Sequence, residues 1–149
     1  IINLQGDMPI FKSQDISEVN KPLIQGFDIG TLVTDLSYED EKDKNVTKVN
    51  IQWITNNKLG EAKDFFKSYK GKLKNIYHHV GIYSFSLKIL KRFIELEQSE
   101  NEIYHKLEQF RALDSNMSIG VSYVKNAPLS VDTKEDLIKV ENIIKQSHE

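Results

Sequence analysis

Between Phe85 and Leu87 the spacing of apolar residues changes from two to nearly four. From His79 to Phe85 the chain alternates, with Val80 and Ile82 on one side and His79, Gly81, Tyr83 and Phe85 on the other, which is the period of a strand. Beyond it, Leu87, Leu90, Phe93, Ile94 and Leu96 repeat with the period of a helix. A strand feeding directly into a helix restricts the chain to the α/β or α+β classes. A second stripe of Ile103, Leu107, Phe110 and Leu113 predicts one helix from about Asn101 to Asp114. Asp132-Thr133-Lys134-Glu135 reads as the cap of a last amphipathic helix through Leu137, Val140 and Ile144. Strands are predicted at Ile1–Leu4, Phe27–Leu36, Val46–Ile54 and Ile119–Val124.

The remaining segments are read from their punctuation. Ser13-Gln14-Asp15-Ile16 opens a short helix that Lys21-Pro22 and Gly26 interrupt. Tyr38–Asn45 is a charged loop, Asn56–Gly60 a turn, and Lys63–Lys74, with its five lysines among Phe65, Phe66 and Tyr69, has no assignable period.

Leu, Ile, Val and Phe make up 46 of the 149 residues, enough to bury a core, and one domain is the default at this length. The chain has no cysteine, which excludes disulfide scaffolds and thiolate metal sites. Twenty basic against 22 acidic residues give a net charge of -2, without the basic excess of a nucleic-acid binder. No basic leader or long apolar run is present, so a cytoplasmic protein without membrane insertion is expected. Ile1-Ile2-Asn3-Leu4 reads as the end of a buried strand whose earlier neighbours are missing, so the chain is expected to be a fragment.

Two carboxylates stand out, each with a plainer alternative. Asp7 follows the first strand, at the end where open α/β sheets place ligands, but it also suits a turn before Pro9. Asp132 is placed either for a metal or for a helix cap. His78 and His79 are neighbours on a strand, face opposite ways and make a poor metal pair. The face of His79, Gly81 and Tyr83 is left, offering two hydrogen-bonding side chains around a glycine. Glu108 and Gln109 flank the Leu107 stripe and by periodicity alone are solvated. No phosphate-binding loop, dinucleotide fingerprint or nucleophile elbow occurs.

Four motifs in order resemble those of the 3-deoxy-manno-octulosonate cytidylyltransferases, the CMP-KDO synthetases. They are Asn3-Leu4-Gln5-Gly6-Asp7-Met8-Pro9, His79-Val80-Gly81-Ile82-Tyr83, Leu107-Glu108-Gln109-Phe110-Arg111 and Val131-Asp132-Thr133-Lys134-Glu135-Asp136-Leu137. The resemblance implies an α/β, Rossmann-like nucleotide-diphospho-sugar transferase fold, with residues 1–149 forming a single carboxy-terminal fragment on its sugar-binding and dimerisation side. It implies transfer of a cytidylyl group from CTP to an eight-carbon sugar acid, for lipopolysaccharide biosynthesis, by a homodimer. Attack of the sugar's anomeric hydroxyl on the α-phosphorus would be assisted by Mg²⁺. By the same resemblance Asp7 and Asp132 are the catalytic magnesium carboxylates, and Gln5, His79, Tyr83, Glu108 and Gln109 bind substrate.

The match departs from the family in two places. The family's Y-F-S-R arginine is matched by Lys67 in Asp64-Phe65-Phe66-Lys67, which keeps the charge but not the bidentate fork. The Arg/Lys/Gly-rich nucleotide loop is not among these 149 residues, so the isolated chain is expected to be inactive. A non-catalytic sugar-acid-binding or dimerisation domain is the alternative.

Overall fold

The computed structural model describes residues 1–56, 58–69, 73–131 and 133–146. Along them run β1 (Ile2–Asn3), α1 (Ser13–Ile24), β2 (Ile29–Thr34), α2 (Tyr38–Lys42), β3 (Lys48–Thr55), β4 (Leu59–Phe66), β5 (Ile76–Phe85), α3 (Leu87–Ile94), α4 (Glu100–His105), α5 (Gln109–Asp114), β6 (Ile119–Tyr123) and α6 (Lys134–Gln146). The strands form one sheet in the order β1-β5-β2-β6-β4-β3, and the start of β5 also pairs with β3, so five strands close into a ring. The β2–β6 pairing is parallel and the others are antiparallel.

β2 is buried along its whole length, since it is paired with β5 on one side and β6 on the other. One face of the sheet packs under α1 through Val19, Leu32, Val80, Ile82 and Val124. The other carries Ile29, Val33, Phe85 and Ile119, against which Leu90 and Phe93 of α3 and Phe110 of α5 pack. The alternation read along His79–Phe85 is therefore real: its two sets of side chains enter different cores.

Several segments differ from expectation. α1 continues through Lys21-Pro22 to Ile24, because the proline lies in the last turn and its ring seats over two glycines. A Cβ on Gly30 would stand 2.3 Å from the Val19 carbonyl, and one on Gly120 would stand 2.5 Å from Pro22 Cβ. Gly26, at φ +95, ends the helix. Tyr38–Lys42 is a helical turn rather than a loop, since Ser37 Oγ accepts from the Asp40 N–H at 3.0 Å. The lysine-rich segment begins as β4; Lys70, Gly71 and Lys72 lie outside the described residues. β1 is a partly exposed edge strand, not a buried one. The helix expected over 101–114 is broken at Lys106, which adopts a left-handed conformation, φ 54. At the start of α6 Thr133 Oγ1 accepts from the Asp136 N–H at 3.2 Å, while Asp132, the other residue expected to cap it, lies outside the described residues.

Candidate active site

Six stretches of chain meet around a cavity of about 370 Å³. Its wall is formed by Gln5, Asp7 and Met8, by Asn45 to Thr47, by Lys67, by His78 to Gly81 with Tyr83, by Lys106 to Gln109, and by Ala127, Pro128 and Ser130. Gln5, Asp7, Lys67, His79, Tyr83, Glu108 and Gln109, all singled out from the sequence, share this wall. Asp132 lies outside the described residues. A groove of about 390 Å³ at the end of α1 contains none of these residues, and its Glu18 and Lys21 pair with each other at 2.6 Å.

Asp7 sits in a turn closed by the Met8 N–H donating to the Gln5 carbonyl at 3.1 Å, which leaves its carboxylate exposed at the cavity. The Val131 N–H donates to the Asp7 carbonyl at 2.8 Å, and Ile10 pairs with Leu129. The stretch ending at Val131 thus lies along the turn that carries Asp7. Asp7 is a turn residue whose carboxylate borders the cavity.

β5 presents His79 and Tyr83 through an irregularity. Thr31 pairs with Tyr83 while Leu32 pairs with Val80, so Gly81 and Ile82 are extra residues on β5. The space over Gly81 is filled from within: a Cβ there would meet Met8 Cε at 3.2 Å and Gln5 Cγ at 3.5 Å. The fully buried Thr31 hydroxyl lies 2.8 Å from the Ile82 carbonyl, 3.1 Å from that of Val80 and 3.0 Å from His79 Nε2. On the other side of the ring, Gln109 Nε2 stands 3.5 Å from His79 Nδ1. Phe65 meets the imidazole edge-on with centroids 5.2 Å apart.

Burial sets the protonation of both aromatic groups. Loss of solvation, reinforced by His78 and Lys67, pushes His79 down to about 3, so it is neutral at physiological pH. Tyr83 is raised by burial and by the Glu108 carboxylate, against a smaller opposing effect of Gln109; it remains a phenol and can donate.

Glu108 and Gln109 reach the cavity because of the break at Lys106. An unbroken helix would have kept them on its flank, as the period predicts. Two short helices instead leave Glu108 and Gln109 at the start of α5, on the cavity wall. Lys67 is tied to the rim by donating from Nζ to the Asn45 carbonyl at 3.0 Å. His78 turns to Asp40, at 3.3 Å, while His79 turns to Thr31, which agrees with setting the pair aside as metal ligands.

Among the described residues no three His, Asp or Glu side chains are grouped to hold a metal. Asp7 offers one carboxylate at the cavity and Glu108 a second. Mg²⁺ takes one or two protein carboxylates and completes its shell with water and phosphate oxygens, so an exposed carboxylate such as that of Asp7 is a donor of the type this ion uses.

Sequence reasoning did not find Thr31, His78, Lys106 or Ser130. Thr31 looks like any β-branched residue of a buried strand. His78 reads from the sequence only as half of a poor metal pair, and the continuous apolar stripe conceals the break at Lys106. Ser130 lies in a loop without a pattern.

Residues 1–119 match the model of a family described as cytidylyltransferases. The chain is 39% identical over 147 residues to the 3-deoxy-manno-octulosonate cytidylyltransferase of Bartonella tribocorum and 36% identical over 148 residues to that of Paramagnetospirillum magneticum. Each match covers 97% of this chain and 60% of the relative. A solved structure of CMP:2-keto-3-deoxy-manno-octonic acid synthetase complexed with CTP superposes with a TM-score of 0.83 at 26% identity, over 98% of this chain and 61% of that one. Apo UDP-glucose pyrophosphorylase, at 12% identity and a TM-score of 0.51 over 95% of this chain and 63% of that one, shares the fold. The chain spans about 60% of the length of the curated relatives it matches.

Proposed function

The chain belongs to the cytidylyltransferase family, and from that premise we propose that its cavity holds 3-deoxy-manno-octulosonate for cytidylyl transfer from CTP, giving the CMP-sugar and pyrophosphate. In this reading residues 1–149 form one unit carrying the sugar and dimer side of the enzyme, and the product is the activated sugar for lipopolysaccharide synthesis. The observation that carries it is the convergence of Gln5, Asp7, Lys67, His79, Tyr83, Glu108 and Gln109 on one wall.

The chemistry of that wall suits a polyhydroxylated acid. Lys67 and Lys106 supply positive charge for the sugar carboxylate. The Tyr83 hydroxyl donates, and the amides of Gln5 and Gln109 can both donate and accept. These residues hold the anomeric hydroxyl toward the α-phosphorus, where the new P–O bond forms as the bond to pyrophosphate breaks and the hydroxyl proton leaves to solvent. Asp7, with Asp132 as the expected second carboxylate, would hold Mg²⁺. When bound, the ion supplies neutralisation of phosphate charge. Exposed Leu87, Ile94 and Ile103 on α3 and α4 support a homodimer.

The test suited to this chain is binding. Calorimetric titration of residues 1–149 with 3-deoxy-manno-octulosonate in the presence of Mg²⁺ should give a saturable isotherm that Lys67→Ala and Tyr83→Phe each weaken. No heat of binding at millimolar sugar overturns the reading.

A further inference from the structure

We infer that Thr31, which lies in β2 beneath the cavity, is a positioning residue: its hydroxyl holds His79 in the Nε2–H tautomer, so Nδ1 meets the cavity as a hydrogen-bond acceptor. This rests on the cavity being a sugar site.

The argument is an inventory of protons. A threonine hydroxyl has one hydrogen and two lone pairs, and a carbonyl oxygen can only accept. Thr31 Oγ1 lies within bonding distance of two carbonyls, Ile82 at 2.8 Å and Val80 at 3.1 Å, and of one ring nitrogen, His79 Nε2 at 3.0 Å. Its single hydrogen is taken by the carbonyl side. A lone pair therefore faces the imidazole, and Nε2 must carry the proton. Nδ1 is then the bare nitrogen, matched to the Gln109 amide at 3.5 Å, whose N–H can donate to it. The two carbonyls belong to the stretch of β5 where the register slips, so one hydroxyl both closes the irregular backbone and orients the ring. A neutral imidazole whose one Nδ1 lone pair accepts from the Gln109 amide, or from a ligand hydroxyl when that amide turns to the ligand, disfavours a carboxylate. The sugar's acid group is left to the cationic side chains of Lys67 and Lys106.

The test is ¹⁵N–¹H correlation spectroscopy of the four histidines in the ¹⁵N-labelled chain, with His79 assigned through His79→Gln. The expected pattern is a protonated Nε2 and an unprotonated Nδ1, kept in Thr31→Ser and lost or mixed in Thr31→Val. A wild-type Nδ1–H tautomer overturns the inference even if the valine variant misfolds, and so does a folded Thr31→Val variant whose spectrum is like the wild type. On adding 3-deoxy-manno-octulosonate, Nδ1 should shift as an acceptor while remaining unprotonated. Protonation to an imidazolium overturns the assigned role. An unmoved Nδ1 at saturating sugar overturns the sugar-site reading, while the tautomer measured without sugar still decides what Thr31 does.

Discussion

Arg111 grips Glu102 across the break at Lys106, with Nε and Nη2 donating to the two carboxylate oxygens at 2.8 Å and 2.6 Å. Glu102 is only 5% exposed, and it also accepts from Gln98 at 3.1 Å. The guanidinium lies over Phe93 at 5.1 Å. This pair sets the angle between α4 and α5, and so the direction in which Glu108 and Gln109 face.

Glu102→Gln should therefore cost about 2 kcal/mol, below the range for breaking a deeply buried pair because Arg111 keeps some solvent contact. The Arg111 guanidinium holds the Glu102 carboxyl below its ordinary value of 4.5. The folded state is thus favoured by this group fully above pH 4.5, and the advantage is lost as pH falls through the lower folded value. Urea titrations at pH 7 and pH 3 check both points: the variant should lose more at pH 7 than at pH 3. Equal loss at both would remove the ion pair from the account.

His79 works through the opposite protonation state with the same sign. Its folded value of about 3 lies below the ordinary 6.5, so below pH 6.5 the unfolded chain binds a proton there that the folded chain refuses. Stability should fall with decreasing pH over that interval, by up to about 1.4 kcal/mol per pH unit from this group. Denaturation free energies from pH 6.5 to 4.5 should show the slope in the wild type and a smaller one in His79→Gln. Equal slopes would mean that His79 takes up its proton in the folded state.

What the sequence made legible follows the range over which each signal acts. Periodicity is local, and it locates β5 and β6 through the residues they bury and α3 through Leu90 and Phe93, which pack against the sheet. It fails at Lys106, where Ile103, Leu107, Phe110 and Leu113 keep a helical spacing although the backbone turns left-handed; past the break Leu107 and Phe110 are buried, whereas Ile103 before it is exposed. It failed at Pro22 because the glycines that seat the ring are remote in sequence. Asp7 and the face of His79 and Tyr83 stand out from their own surroundings, but their sharing of one site with Lys67 and Glu108 is legible only through resemblance, since no local pattern brings the four together. Thr31 was invisible for the same reason: its partners are contacts 48 to 51 residues away.

Lys48 offers a test of how the rim is held. It is 0% exposed, and its ammonium donates to the carbonyls of Asp43, of Val46 at 3.0 Å and of Lys67 at 2.9 Å. Three carbonyls from two segments of the rim depend on it. Lys48→Met keeps the apolar stem but leaves them without a donor, which should cost about 1–3 kcal/mol. Hydrogen exchange should show faster opening at Asn45–Thr47 with α3 unaffected. A variant as stable and as protected as the wild type would show that water replaces the ammonium.

Asp7 and Asp132 can be separated from their plainer roles in a complete enzyme. The start of α6 is capped by a reciprocal pair, the Thr133 Oγ1–H donating to Asp136 at 2.8 Å and the Asp136 N–H donating to Thr133 Oγ1 at 3.2 Å. Thr133→Ala should therefore lower the melting temperature, whereas Asp132→Asn should leave it unchanged. Asp7 serves its turn through backbone groups, so Asp7→Asn should also melt normally. If the two carboxylates hold one magnesium, each substitution should lower turnover severely at saturating Mg²⁺, and the double variant should lose little more than the worse single one, because groups that act as a unit are not additive. Near-full turnover in either single variant removes that residue from the metal site. Additive losses would mean instead that the two act on separate steps.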